Sequence, residues 1–195
     1  MRMSRPLMWL PVVLASACLA VASLAGPVRA DVYRFDPEHT VASFRCGPFG
    51  FGAQAGHVSG AHGIMIFDPA HPGDSVVDVT LDMTTLRTDW KGFDGQARGP
   101  DFLDVDRFPT ASFKSRRVEV TGDGTAEVTG DLTLHGVTRE VVMAVVVRRS
   151  ADHGDGLGFS ASTRIHRSDF GVDGRTPLLN DTIELRIQAE AQPGS

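Results

Sequence analysis

Only two cysteines, Cys18 and Cys46, occur in this 195-residue chain, and no CxxC, HxH or HExxH spacing appears anywhere in it. The first scarcity excludes a disulfide scaffold, and the second leaves zinc without the ligand spacings by which it is usually read from sequence. Basic residues are also in deficit, with 19 Lys and Arg against 24 Asp and Glu. An acidic balance disfavours nucleic acid and anionic membrane surfaces, because binding to phosphates relies on cations that release counterions. There is no internal repeat, heptad, low-complexity tract or Pro/Gly/Ser linker, so nothing divides the chain into two folding units beyond its amino-terminal leader.

That leader is the one long apolar run. Met1-Arg2-Met3-Ser4-Arg5 is basic, Leu7 to Ala25 is apolar, and Val28 and Ala30 place small residues at −3 and −1 of a cut before Asp31. These are the parts of a secretory signal peptide, so residues 1–30 read as a leader and 31–195 as one exported domain. Pro11 interrupts the run and Gly26-Pro27 ends it, which argues against a retained membrane anchor. The run continues past Cys18, which argues against a lipidated cysteine. Cleavage leaves 16 basic residues against 24 acidic, a charge of −8, with Cys46 as the one thiol. Cys46 reads as a small buried side chain rather than a reactive one.

What the remaining 165 residues do carry is alternation with a period of two. Val77, Val79, Leu81 and Met83 share one strand face while Asp78, Thr80 and Asp82 take the other; Ala126, Val128, Leu132 and Leu134, and then Ile183, Leu185, Ile187 and Ala189, repeat the pattern. Further strands are expected at residues 41–46, 63–67, 112–120, 139–149 and 157–166, separated by turns such as Thr121-Gly122-Asp123-Gly124 and His135-Gly136. About eight antiparallel strands wet on one side only indicate a barrel or a sandwich. Residues 89–107 break the alternation, and Asp101-Phe102-Leu103-Asp104-Val105 is expected to form a short helix capping one mouth.

An eight-stranded barrel is either filled by its own side chains or keeps room for one ligand. Val, Ala, Leu and Ile predominate on the inward faces, so room is expected, walled by apolar groups. Phe44, Ile64, Leu81, Met83, Phe102, Phe113, Val128, Leu132, Leu134, Phe159, Ile165, Phe170, Ile183, Leu185 and Ile187 are the expected ligand-binding set. Chemistry finds less support. Gly56-His57-Val58-Ser59-Gly60 displaces the serine of a nucleophile elbow by one place, Gly47 to Gly52 lacks the lysine of a phosphate loop, and the carboxylates sit on wet strand faces. A metal site built from His39, His135 and His166 has no spacing to recommend it, and Asn180-Asp181-Thr182 fits the glycosylation pattern only for a eukaryotic route. Neither a catalytic group nor a cofactor is expected.

Three stretches then stand out: Tyr33-Arg34-Phe35-Asp36-Pro37-Glu38-His39-Thr40; Asp101 to Ser115 with the later Gly130-Asp131-Leu132-Thr133-Leu134-His135-Gly136-Val137-Thr138; and Phe159-Ser160-Ala161 through Arg167-Ser168-Asp169-Phe170-Gly171-Val172. In order and content the chain resembles the YceI-like family of bacterial periplasmic polyisoprenoid-binding proteins. The resemblance implies an all-β fold, an eight-stranded antiparallel lipocalin-like β-barrel, and an isoprenoid or similar amphiphile inside it. It departs from the family pattern at Gln96-Ala97, in place of His-Leu, and at Val58 and Ala61, in place of Phe. If those two face inward the cavity widens there, or Phe49 and Phe51 restore the volume.

The expected function is therefore carriage or storage of a long apolar isoprenoid, such as a quinone or its precursor, in the periplasm, in keeping with a role in envelope stress. Transient contact with a membrane or membrane protein, and a homodimer, are compatible with it. Two alternatives stay open: an enzyme acting on such a lipid through His39, His135 or Asp169, and a structural envelope protein with a filled core. Asp169 is expected to accept main-chain hydrogen bonds or to pair with Arg167, with Phe170 covering apolar surface at the rim.

Overall fold

Alternating sequences need a second apolar surface, and here each strand finds it across a common interior. The computed structural model describes residues 30–47, 54–90, 92–149, 155–174 and 180–194. The leader at 1–29, and Phe49 and Phe51, lie outside the described residues. The strands are β1 (Asp31–Phe35), β2 (Val41–Cys46), β3 (Gln54–Val58), β4 (His62–Phe67), β5 (Val76–Asp82), β6 (Arg87–Thr88), β7 (Thr110–Gly122), β8 (Thr125–Leu134), β9 (Val137–Arg149), β10 (Leu157–His166) and β11 (Thr182–Pro193).

Their pairing reduces these to eight staves. β1 and β2 lie one after the other along the same edge of β11, with Phe35 opposite Ala191 and Val41 opposite Gln188. β3 and β4 pair with β2 and β1, and β6 and β5 pair with β3 and β4. The first three staves are thus each one bent strand. Every stave is antiparallel to the next in chain order, and β11 closes on the first, giving an eight-stranded antiparallel barrel of lipocalin-like form. Closure leaves no long unpaired edge, the hazard of an open sheet.

Threonines tie the bends. Thr40, 2% exposed, bonds through its hydroxyl to both backbone groups of Glu190, and Thr85 Oγ1 accepts from the Ser59 N–H at 3.0 Å. At the first bend Asp36 accepts from the Glu38 N–H, from His39 Nδ1 at 3.0 Å and from Gln192 Nε2. The bend residues satisfy groups that a straight ladder would otherwise have paired.

The helix is displaced from where the sequence suggests. It is α1 (Asp94–Arg98), and residues 101–107 form turns instead. Pro100 holds Gly99 extended, at ψ 174°, and so ends the helix rather than beginning one. β6 pairs with β3 alone, and α1 with its flanking turns completes the wall between the third stave and β7. Phe93, Ala97, Phe102 and Val105 from this segment are buried.

Candidate functional site

The staves enclose one cavity of about 730 Å³, walled almost entirely by apolar side chains. That volume is within the range of small-molecule sites. All the side chains expected from the sequence to face a ligand lie on this wall except Ile64 and Phe170. Leu81, Leu132 and Leu185, from three well-separated staves, share the one compartment.

Ile64 is a correction of face. Gly63-Ile64-Met65-Ile66-Phe67 is an unbroken apolar run, so periodicity does not choose its inward set. Pairing with β5 does: Met65 is opposite inward Val77, and Ile64 opposite outward Asp78. Met65 is consequently buried and Ile64 is 38% exposed. Phe170 is a correction of place. It is 1% exposed, in the turn after β10, and packs in the core beyond the cavity's closed end instead of on its wall or at an open rim.

The structure also adds wall residues that the alternation did not single out. Leu86 follows a turn, Phe93 belongs to the non-alternating segment, and Val172 to the loop after β10. Val118 and Val120 face inward although Ala111 and Phe113 do so too, because a bulge between Ser115 and Arg117 reverses the phase of β7. Val58, Ala61 and Ala97 all lie on the wall, so the smaller side chains at these departures from the family pattern do border the cavity.

The two ends differ. At the helical end, polar groups that approach the cavity are engaged with the protein itself. Arg167 Nη1 donates to the carbonyls of Val172 at 2.6 Å and Gly174 at 3.3 Å, and its Nε to that of Asn180. The Cys46 thiol donates to the same Asn180 oxygen at 3.2 Å, and burial pushes its pKa up, which makes it a poor nucleophile. His135, at φ 51° in the β8–β9 hairpin, donates from Nδ1 to the Phe170 carbonyl at 3.1 Å and meets the Phe108 ring edge-on. A carbonyl only accepts, so this nitrogen carries the proton. Thr88 donates its N–H and hydroxyl to Asp94 Oδ1 at 2.7 and 2.6 Å, fastening α1 to β6 and holding the Asp94 carboxyl below its ordinary pKa.

At the opposite end the wall is made by Val118, Val120, Leu157 and Phe159 with the β7–β8 hairpin and a short 3-10 turn, Pro72–Asp74. Val120 is 54% exposed, so this end meets solvent.

The groups weighed for chemistry are not gathered. His39 stands on the β1–β2 bend, which lies beside Glu190 in the carboxyl-terminal half of β11, His135 stands at the helical end, and no group of three His, Cys, Asp or Glu side chains able to hold a metal occurs among the described residues. Asp169 is exposed and accepts no hydrogen bond among the described residues, and Arg167 turns to carbonyls; both expectations for that run are corrected. Asp181 is the acceptor instead, taking the Ser168 N–H at 3.0 Å and its hydroxyl at 2.9 Å, which lowers its pKa. Ser168 therefore donates to a carboxylate and not to His166, whose Nδ1 lies 3.3 Å from the same Asp181. A nucleophile needs the reverse order, with the base between.

Comparison with known proteins agrees with this architecture. Among solved structures, BcnA of Burkholderia cenocepacia superposes with a TM-score of 0.73 at 23% identity, over 81% of this chain and 99% of its own. A polyisoprenoid binding domain from Saccharophagus degradans, implicated in plant cell wall breakdown, does so at 0.64 and 12% identity, over 83% and 98%. Both likenesses are of fold. The YceI protein of Campylobacter jejuni is 27% identical at a TM-score of 0.63, over 72% of this chain and 85% of its own. In sequence, UPF0312 proteins of Ectopseudomonas mendocina and Pseudomonas syringae pv. tomato are 34% and 35% identical over 182 and 183 residues, each covering 91% of this chain and 95% of the relative. The profile of the YceI-like domain matches residues 33–191, and the chain belongs to that family.

Proposed function

We propose that the protein binds a long apolar isoprenoid lipid, such as a quinone, a quinone precursor or a similar amphiphile, within its barrel, and acts as a carrier or reservoir without transforming it. One observation carries this reading: a single apolar cavity of about 730 Å³ to which all eight staves contribute. Such a wall offers few hydrogen bonds to water, so an apolar chain is favoured by about 2.5 kcal/mol for each 100 Å² it removes from water. A structural protein with a filled core would have no such volume. The Saccharophagus domain, described as polyisoprenoid binding, supports the choice of lipid class. The leader supports a periplasmic setting, where delivery would need transient contact with a membrane or a membrane protein.

Mass spectrometry of an organic extract of the purified chain from Asp31 onward tests the reading. An isoprenoid is expected in the extract. An extract without lipid, from a protein that also fails to take up an apolar fluorophore, would sink it.

A further inference from the structure

β5's inward alternation does not stop at Val77. Two residues earlier Ser75 also reaches the cavity wall, at the solvent end, immediately after the Pro72–Asp74 turn. Its Oγ is buried and has no hydrogen-bond partner; among the described residues it is the one side-chain polar atom in that condition. A hydroxyl shut away from water without a partner costs about 1–3 kcal/mol. By contrast, at the helical end Cys46 and Thr88 donate to the protein itself, and Arg167 does so through Nε and Nη1.

Charges around the solvent end point the same way. Asp123 and Arg148 border the cavity there, Asp74 adjoins Ser75, and Asp31 and Asp155 flank the neighbouring cleft that shares Leu157 with it. An anionic head at this end would thus lie beside the Asp74 and Asp123 carboxylates with the Arg148 guanidinium, and the neighbouring cleft adds Asp31 and Asp155 with Arg34 close to Gly194.

We infer that Ser75 is the anchor for the ligand's polar head: the lipid lies with an uncharged, hydrogen-bonding head at the solvent end and its tail toward α1. This rests on the lipid-binding reading above and adds to it an orientation and a head-group class, a hydroxyl or carbonyl rather than a phosphate. The Ser75 hydroxyl can donate to a carbonyl or exchange bonds with an alcohol. The depth available suits a chain laid along the barrel. β8 runs from Thr125 at one end to Leu134 at the other, which at the usual rise and tilt of barrel strands is roughly 20–25 Å.

The test measures binding of three probes to the wild type, Ser75→Ala and Ser75→Thr: geranylgeraniol, the hydrocarbon of the same skeleton lacking the hydroxyl, and geranylgeranyl diphosphate. Ser75→Ala is expected to melt at or above the wild-type temperature, since it removes an unpartnered polar atom. It should weaken geranylgeraniol about five- to ten-fold and leave the hydrocarbon unchanged, while Ser75→Thr, which keeps the hydroxyl, holds the alcohol better than Ser75→Ala does. The diphosphate should bind the wild type more weakly than the alcohol. Equal losses for alcohol and hydrocarbon, no loss for either, or a fall in the melting temperature of Ser75→Ala would overturn the anchor. A diphosphate that binds best would overturn the uncharged head. Wild-type protein that binds none of the three would instead bring down the lipid-binding reading itself.

Discussion

Gly130 leaves the space that the Phe113 ring occupies: a methyl group at Gly130 would stand 2.6 Å from Phe113 Cζ. Gly56 does the same for Phe44 on the far side of the barrel, and Gly174 for Phe102 at the helical end. Large rings thereby lie against the wall instead of crossing the lumen. An eight-stranded barrel with a ring standing upright from several staves would fill itself. Gly130→Ala should therefore press on the Lys114 carbonyl as well as push the Phe113 ring inward, and cost about 1–3 kcal/mol, as overpacking does. Thermal melting of Gly130→Ala, Phe113→Ala and the double variant measures this. Part of the loss is expected to be recovered in the double variant; strictly additive losses would show that the two residues do not share the space.

Leu132 and Leu185 put an interior claim on trial from two staves at once. Leu132 is buried and Leu185 half-buried, and both border the same cavity. Leu132→Asp and Leu185→Asp should each destabilise by about 3 kcal/mol or more, because a carboxylate there has neither water nor a partner and takes up a proton instead. Bound lipid should be lost together with stability. Variants that melt like the wild type and retain lipid would place these faces outside.

Much of this is legible in the chain itself. β10 falls at residues 157–166 as read from alternation, and the wall positions of Leu81, Leu132 and Leu185 follow from period-two patterns bounded by turns. Where alternation is missing, legibility stops. The run at Ile64 is apolar on both faces, so only the pairing of Met65 with Val77 decides which face looks inward. The bulge after Ser115 changes the phase of β7 with no mark in its residues. The expected helix falls about two turns too late, because the apolar Phe102-Leu103 pair is a stronger local signal than the stop at Gly99-Pro100. Ser75 carries no signal in the sequence, because a serine before a strand reads as turn chemistry and its lack of a partner is a property of the packed barrel alone.

Asp94 should make the closure of the helical end sensitive to acid. Its carboxylate holds Thr88 through two short hydrogen bonds, and these lower its pKa in the folded state below the ordinary 3.8. A depressed carboxyl contributes stability that is fully present above the unfolded value and is lost as pH falls through the folded one. The contribution of α1 docking should thus be constant from neutral pH down to about pH 5, then decline below the ordinary 3.8. Amide hydrogen exchange over residues 92–105 reads it: protection there, taken relative to the intrinsic exchange rate at each pH, is expected to fall in acid before protection in β8 and β9 does. In Asp94→Ala the same segment should exchange faster already at neutral pH. Equal exchange in variant and wild type would mean that packing of Phe93 and Phe102 alone holds the segment.

The turn after β10 offers two aspartates with opposite expectations. Asp181, just before β11, accepts both the Ser168 N–H and its hydroxyl, and the Arg167 N–H goes to the Asp181 carbonyl at 2.9 Å, so this residue fastens the turn to the following strand. Asp169 is exposed and fastens nothing among the described residues. Replacing Asp181 by Ala removes acceptors from a solvent-facing site, which is worth about 1 kcal/mol. Asp181→Asn should lose less, because the amide oxygen can still accept from the Ser168 N–H. Asp169→Ala should melt within about 0.5 kcal/mol of the wild type, as surface substitutions usually do. Lipid content separates structure from recognition in the same samples. If Asp169→Ala kept its stability and yet lost bound lipid, Asp169 would belong to the binding apparatus, and the closed character of the helical end, on which the orientation of the lipid depends, would have to be given up.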